Sequence, residues 1–202
     1  MQTCPAGEAN AALLARAGID ASCLELPEAR VAAQSYARLW RLLARRCNDE
    51  FFAMDPRGLR TGSLAFMCRA SMAQPTLGQG LETALGFLAL MLEDLQPCLV
   101  RQPGLAEIVI NEPRAEPRRA FTYFTFWMIV HGVACWLAGR RIPILAIDLR
   151  CAEPPFCDDY RVMFSESLQF GRPRTRMIIP ADCLGLAVRR SEQELQRFLA
   201  AA

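Results

Sequence analysis

The chain of 202 residues contains no lysine; all 23 of its basic residues are arginine, set against 21 acidic ones for a formal net charge of +2. The missing lysine reads first as genomic base composition. A phosphate-binding surface needs its cations clustered, these are mostly scattered, and the near-balanced charge implies neither a general affinity for nucleic acid nor a preference for acidic substrates. Histidine is nearly absent too, His131 being the only one. Catalysis by nucleophile or by acid and base needs a nucleophile beside its base, or a pair of perturbed carboxylates. Here the one histidine sits in an apolar stretch, and neither a Gly-x-Ser-x-Gly turn nor a phosphate-cradling glycine loop occurs. Asp158 and Asp159 adjoin, yet they read as the first turn of a helix, where the macrodipole favours negative charge. An enzyme is therefore not expected. Cysteine is plentiful, at nine, but there is no Cys-x-x-Cys pair, no regular spacing and no evident signal peptide. That pattern implies the reducing cytoplasm, with most thiols acting as small buried hydrophobes and no disulfide framework.

What the chain does have is an uncharged run from Ala120 to Gly139, fenced by Arg118 and Arg119 before it and by Arg140 and Arg141 after it. Its length suffices to span a bilayer. Thr122, Thr125, His131 and Gly132 interrupt the apolar surface, however, and basic pairs at both ends give no orientation. The β-branched run Ile142 to Leu149 follows and reads as a buried strand. The expectation is thus a buried central helix in a water-soluble protein. A helix apolar all round must be covered on every side.

Ahead of it, Asn10 is a possible helix cap and Gly18 a helix end, followed by a turn through Pro27. From Gln34 to Cys47, Tyr36, Leu39, Trp40 and Leu43 recur at helical spacing, with Arg38, Arg41, Arg45 and Arg46 on what reads as a solvated face. Asp55, Pro56, Gly58 and Gly62 mark a loop from Asn48 to Gly62, out of which Phe51, Phe52 and Met54 must tuck inward. Helices are predicted over Ser63 to Met72 and from Thr76, whose spacing to Gln79 is that of a capping box; Leu77, Leu81, Leu85, Leu88, Leu92 and Leu95 form its stripe, and Pro97 stops it. Cys98 to Arg101 and Leu105 to Asn111 flank a hairpin turn. Arg114 to Arg119 is a surface loop. Beyond the central helix a short helix bears Tyr160, Met163 and Phe164. A second hairpin is expected from Leu168 to Phe170 and Thr175 to Ile179, with Arg172, Arg174 and Arg176 alternating onto one solvated face. Ser191 and Glu194 open a last helix with Leu195, Phe198 and Leu199 inward. The fold class is α+β. A helical portion at about 8–96 precedes a mixed or antiparallel sheet packed on the long central helix at about 97–202, the whole forming one domain.

The stretches AGID (17–20), LPEARVAAQSYARLWRLLARRCNDEFF (26–52), SLAFMCRA (63–70), TLGQGLETALGFL (76–88), CWLAGRRIPILAIDLR (135–150), DDYRVMF (158–164) and LQFGRPRTRMIIP (168–180) follow the order of a known family and cover nearly the whole chain. Together they resemble the N-terminal effector and dimerisation domain of the arabinose-binding-like branch of AraC/XylS transcription regulators. The resemblance implies a small-molecule effector, a homodimer, and control of a DNA-binding part carrying two helix-turn-helix units. No such segment follows here, as if a full regulator were cut to its sensory half. The alternative from another class is a stand-alone protein-interaction module with no small-molecule ligand.

No cofactor is expected. His131 and Cys135, one turn apart, have the spacing of two metal ligands, but two ligands make no site, and the histidine reads as a core or pocket residue. Cys151 and Cys157 read as free loop thiols rather than a redox pair. Effector pockets are mostly apolar and aromatic with a few polar groups. Tyr123, Trp127 and His131, at successive i, i+4 steps of the central helix, supply that mixture for one wall, and Cys68 with Arg69 supply the other, the arginine suiting a carboxylate. The plainer alternative makes the first three core and Arg69 surface. Since base readout needs a helix or ribbon with side chains reaching base edges, this chain alone should show only weak, salt-sensitive DNA binding. Retention of a defined operator at physiological salt, in a mobility-shift titration, would contradict this.

Overall fold

The computed structural model describes residues 8–26 and 29–201, so Pro27 lies outside the described residues. Helix α1 (Glu8–Ala17) ends as expected. Gly18, at φ +75°, donates to the Ala15 carbonyl at 3.0 Å and Ile19 to that of Leu14 at 2.9 Å. Asn10, in contrast, lies inside this helix rather than capping it. A 3-10 turn (Ala21–Leu24) leads on to α2 (Ala33–Cys47). Its apolar face is only half covered: Leu39, Trp40 and Leu43 are half-buried and Tyr36 is exposed. The loop after it does bury Phe51 and Met54.

Helix α3 (Ser63–Met72) has the predicted bounds. Helix α4 (Leu77–Met91) opens on its capping box, the Gln79 N–H donating to Thr76 Oγ1, and buries Leu77, Leu81, Leu85 and Leu88; Leu92 and Leu95 of the expected stripe are buried just beyond its end. It ends earlier than Pro97. The reason is the buried Asp55, whose carboxylate accepts the Glu93 and Asp94 N–H groups at 2.9 Å each and turns the chain out of the helix. Pro97 then sits inside β1 (Gln96–Gln102), which pairs antiparallel with β2 (Leu105–Asn111) across Pro103 and Gly104. β1 is an edge of the sheet, where a missing N–H is tolerated.

Helix α5 (Ala120–Ala138) is the central helix. It is long and apolar enough to cross a membrane by length and composition, but it is mostly buried, with Tyr123, Phe124, Phe126, Trp127, Val130 and Leu137 all 2% exposed or less. Phe124 stacks on Tyr160 at 3.5 Å between ring centroids, and Trp136 on Phe198 at 5.0 Å.

Strand β3 (Ala146–Asp148) is shorter than the run Ile142 to Leu149 suggested, because Pro143 has no N–H to give a ladder. Ile142 and Leu149 are nonetheless fully buried. After α6 (Asp158–Met163) come β4 (Leu168–Gln169) and β5 (Thr175–Pro180). These two do not form the expected hairpin: the sheet order is β1-β2-β5-β3-β4, with β3 between them, antiparallel to β5 and parallel to β4. One sheet face, through Ile108, Ile110, Ile147, Met177 and Ile179, joins the core around α5. On the other face Arg176 is paired rather than solvated, with Nε 2.7 Å from Asp148 Oδ2 and a second nitrogen 3.0 Å from Glu107 Oε1. A 3-10 turn (Ala181–Gly185) and α7 (Glu192–Ala201) complete the chain, the latter opened by the Ser191–Glu194 box.

Trp127 is the largest of the fully buried side chains. Trp127→Ala should cost about 3–5 kcal/mol in denaturant unfolding, and more than Trp136→Ala, whose ring is only half-buried. Equal midpoints for both variants and the parent would show that α5 is not core.

Candidate functional site

A cavity of about 440 Å³ opens beside α5. Its walls are Met128, Ile129, Gly132 and Val133 of α5, Trp40, Arg41, Ala44 and Arg45 of α2, Phe198 and Leu199 of α7, Phe52, Leu59 and their neighbours in the 48–62 loop, and the first turn of α3. Gly132 sits mid-helix, and a Cβ added there meets no atom within 4 Å. The glycine therefore faces open space and widens the cavity.

The loop wall is held by buried carboxylates. Asp49 accepts the N–H groups of Phe51, Ala53 and Leu59 at 2.7–2.8 Å. The turn so held has Phe52 and Ala53 both at φ 56°, left-handed values that residues with a Cβ seldom adopt, next to Asn48 at φ 49° as the C-cap of α2. Phe52 is thereby set edge-on to Trp40, with 4.7 Å between centroids. Glu50 accepts the Gly62 and Leu64 N–H groups at 2.8 and 2.7 Å, capping α3, whose N-cap glycine has no side chain for the task.

Polar groups are few here and largely engaged. Glu50 is committed to α3, the Thr61 hydroxyl donates to the Ala44 carbonyl at 3.1 Å, and Arg41 donates to the Ala200 carbonyl of α7 at 2.6 Å. Arg45, exposed at the opening, has no side-chain hydrogen bond or ion pair among the described residues. Such a chamber can bind and enclose an apolar body. It holds no nucleophile with a base, and no group of three or more metal-binding side chains occurs among the described residues.

Residues 7–188 match the family described as the arabinose-binding domain of AraC transcription regulators, N-terminal. The chain belongs to that family. Among curated proteins no match is found. Among solved structures the chain is similar to the transcriptional regulator CdpR from Pseudomonas aeruginosa, at 12% identity and a TM-score of 0.42, over 99% of this chain and 64% of that one. The family is one of regulator domains and not an enzyme class.

In this AraC-type domain the five side chains expected at the effector lie off the cavity lining. Tyr123 and Trp127 are fully buried; the tyrosine hydroxyl donates to Glu112, and the indole Nε1 of Trp127 has no partner among the described residues. Burial, with Glu112 beside it, raises the Tyr123 pKa. Cys68 is fully buried, which pushes its thiol up to about 12. Arg69 is exposed and pairs with Glu192, Nε to Oε2 at 3.0 Å, holding that carboxyl down at about 2. Cys151 and Cys157 are free thiols, as are five others among the described residues, whereas Cys47 is disulfide-bonded, unlike the expectation for that position. The cavity wall on α5 was signalled by Gly132, since a mid-helix glycine costs about 0.5–1 kcal/mol relative to alanine and asks for a reason.

His131 clamps the segment after α5: its Nε2 lies 2.8 Å from the Ile142 carbonyl oxygen, and Cys135 Sγ accepts the Ile142 N–H at 3.3 Å. Burial lowers the His131 pKa; the Ile142 carbonyl opposes this and Arg141 adds to it. A folded-state pKa below the unfolded value means that the unfolded chain takes the proton first as pH falls, so stability is full above about pH 6.5 and declines below it. The parent should melt lower at pH 5.5 than at pH 7.5, and His131→Gln should lose most of that difference. The carboxylates with lowered pKa values act at more acid pH. An equal difference in both proteins would refute the assignment.

Proposed function

We propose that this AraC-type domain holds a small effector in the cavity between α2, α5 and α7 and passes its occupancy to the DNA-binding part of the regulator through α7. The observation that carries this is the composition of the wall. Phe198 and Leu199 of α7 line the cavity beside α5, and Arg41 of α2 holds the Ala200 carbonyl at the end of the same helix. A ligand there touches the element nearest the chain's C-terminus. To act, it must bind one arrangement of α7 more tightly than another. On this reading residues 1–202 form one cytoplasmic sensing and dimerisation domain, homodimeric in the regulator, and DNA is met only through the helix-turn-helix part.

A second reading keeps the effector on the Tyr123, Trp127 and His131 face, with Cys68 and Arg69 opposite. The unpartnered indole N–H of Trp127, a buried donor awaiting an acceptor, favours it.

A metabolite panel in thermal shift separates these. A true effector at a hundredfold excess over its dissociation constant stabilises by about 2.7 kcal/mol. Gly132→Phe should fill the cavity, remove a helix-weakening glycine, melt no lower than the parent, and lose the shift. If the shift survives in Gly132→Phe but falls at least tenfold in ligand affinity with His131→Ala and Arg69→Ala, the second reading holds. A panel that shifts nothing would favour a protein-interaction module without a small ligand.

A further inference from the structure

The lining of the cavity constrains what enters it more closely than its volume does. Phe52, Trp40, Met128, Ile129 and Phe198 offer no hydrogen bond to an occupant except the indole N–H of Trp40. Of the polar lining groups, Glu50 accepts two backbone N–H groups, Thr61 donates to the Ala44 carbonyl and Arg41 donates to the Ala200 carbonyl. Arg45, at the opening, makes no side-chain hydrogen bond or ion pair among the described residues, so its whole guanidinium fork is open to an occupant. A sugar has a hydroxyl on nearly every carbon, and in this mostly apolar lining most of them would be buried against hydrocarbon. A planar carboxylate, in contrast, matches the forked donors of an arginine in two parallel bonds, and an alkyl chain behind it would lie wholly on apolar surface.

We infer that the effector is an amphipathic monocarboxylate of medium chain length, its carboxylate on Arg45 and its alkyl chain against Gly132 and Phe52, and that it is not a sugar. This rests on the cavity reading above. Contact with Phe198 makes the alkyl chain the part that reaches α7, and the carboxylate the part that selects the ligand.

Calorimetric titration of the full chain with sodium decanoate, decan-1-ol and L-arabinose, all below micellar concentration, tests it. Decanoate should bind, decan-1-ol at least tenfold more weakly, and arabinose not at all. Arg45→Gln should bring decanoate down to the level of the alcohol while leaving the alcohol within about twofold of its parent affinity. Gly132→Phe should abolish both. Equal parent affinities for decanoate and decan-1-ol, binding of arabinose, or no binding of decanoate would each overturn the inference. The failures are distinguishable. If decanoate is silent while another compound shifts the parent and not Gly132→Phe, the cavity reading stands and the ligand class falls; if Gly132→Phe binds everything as the parent does, the cavity reading itself falls.

Discussion

The structure depends on one constraint: α5 is apolar on all its sides, and each side must be kept from water by something. α4 and α3 cover one side and the inner sheet face another, in a single core that runs from Phe51 to Leu195. Phe124 is closed over by Tyr160 of α6, and Trp136 by Phe198 of α7. The remaining stretch, Met128, Ile129 and Gly132, borders the cavity, with the buried Val133 at its edge. A helix that demands burial all round, with one strip bordering open space, identifies the strip where a ligand can finish the packing.

The loop beside that space is held by the buried carboxylates of Asp49 and Asp55 and the half-buried one of Glu50. Asp49 takes three backbone N–H groups, Asp55 takes three more, from Arg57, Glu93 and Asp94, and Glu50 takes two. Each satisfies donors that a loop folded inward would otherwise leave unpaired. Together they let a 15-residue stretch with little regular structure serve as a rigid wall. Asp94, in turn, takes Arg114 and Arg118, which pins the approach to α5 onto the end of α4. The route from loop to central helix is thus a chain of charge-assisted bonds.

Much of this was legible in the sequence, and the limits have physical causes. Elements with a one-sided pattern or a local cap were read within a residue: α3, the start of α4 at Thr76, β2, and α7 from its Ser191–Glu194 box, while β1 begins two residues before the expected Cys98. Where long-range pairing decides, local signals failed. The end of α4 is set by Asp55, nearly forty positions upstream, and β4 and β5 are parted by β3, which no spacing between them reveals. The cavity was half legible. α5 was expected to supply a wall, but a helix equally apolar all round carries no phase, so its hydrophobic pattern does not show which face borders open space and Gly132 is the one residue that marks it. The arginines of α2 looked like a solvated face because arginine heads reach water wherever their stems lie; Arg41 and Arg45 do so from the cavity's edge.

Two local costs fall around this one cavity. Gly132 weakens the middle of the longest helix, and Phe52 and Ala53 hold consecutive left-handed conformations, each of order 1–3 kcal/mol for a residue with a Cβ. Neither is needed to build the core, since an alanine at 132 would meet no neighbour and a glycine at 52 or 53 would relieve the strain. Sequences that fold well agree with themselves at every level, and departures concentrate where something other than folding is being served. Here the departures share a single place: the glycine makes room, and the strained phenylalanine sets its ring on that room beside Trp40. Both costs lie on the lining of one cavity, Gly132 on α5 and Phe52 in the 48–62 loop, so the open space beside α5 is framed by two positions that folding alone does not favour.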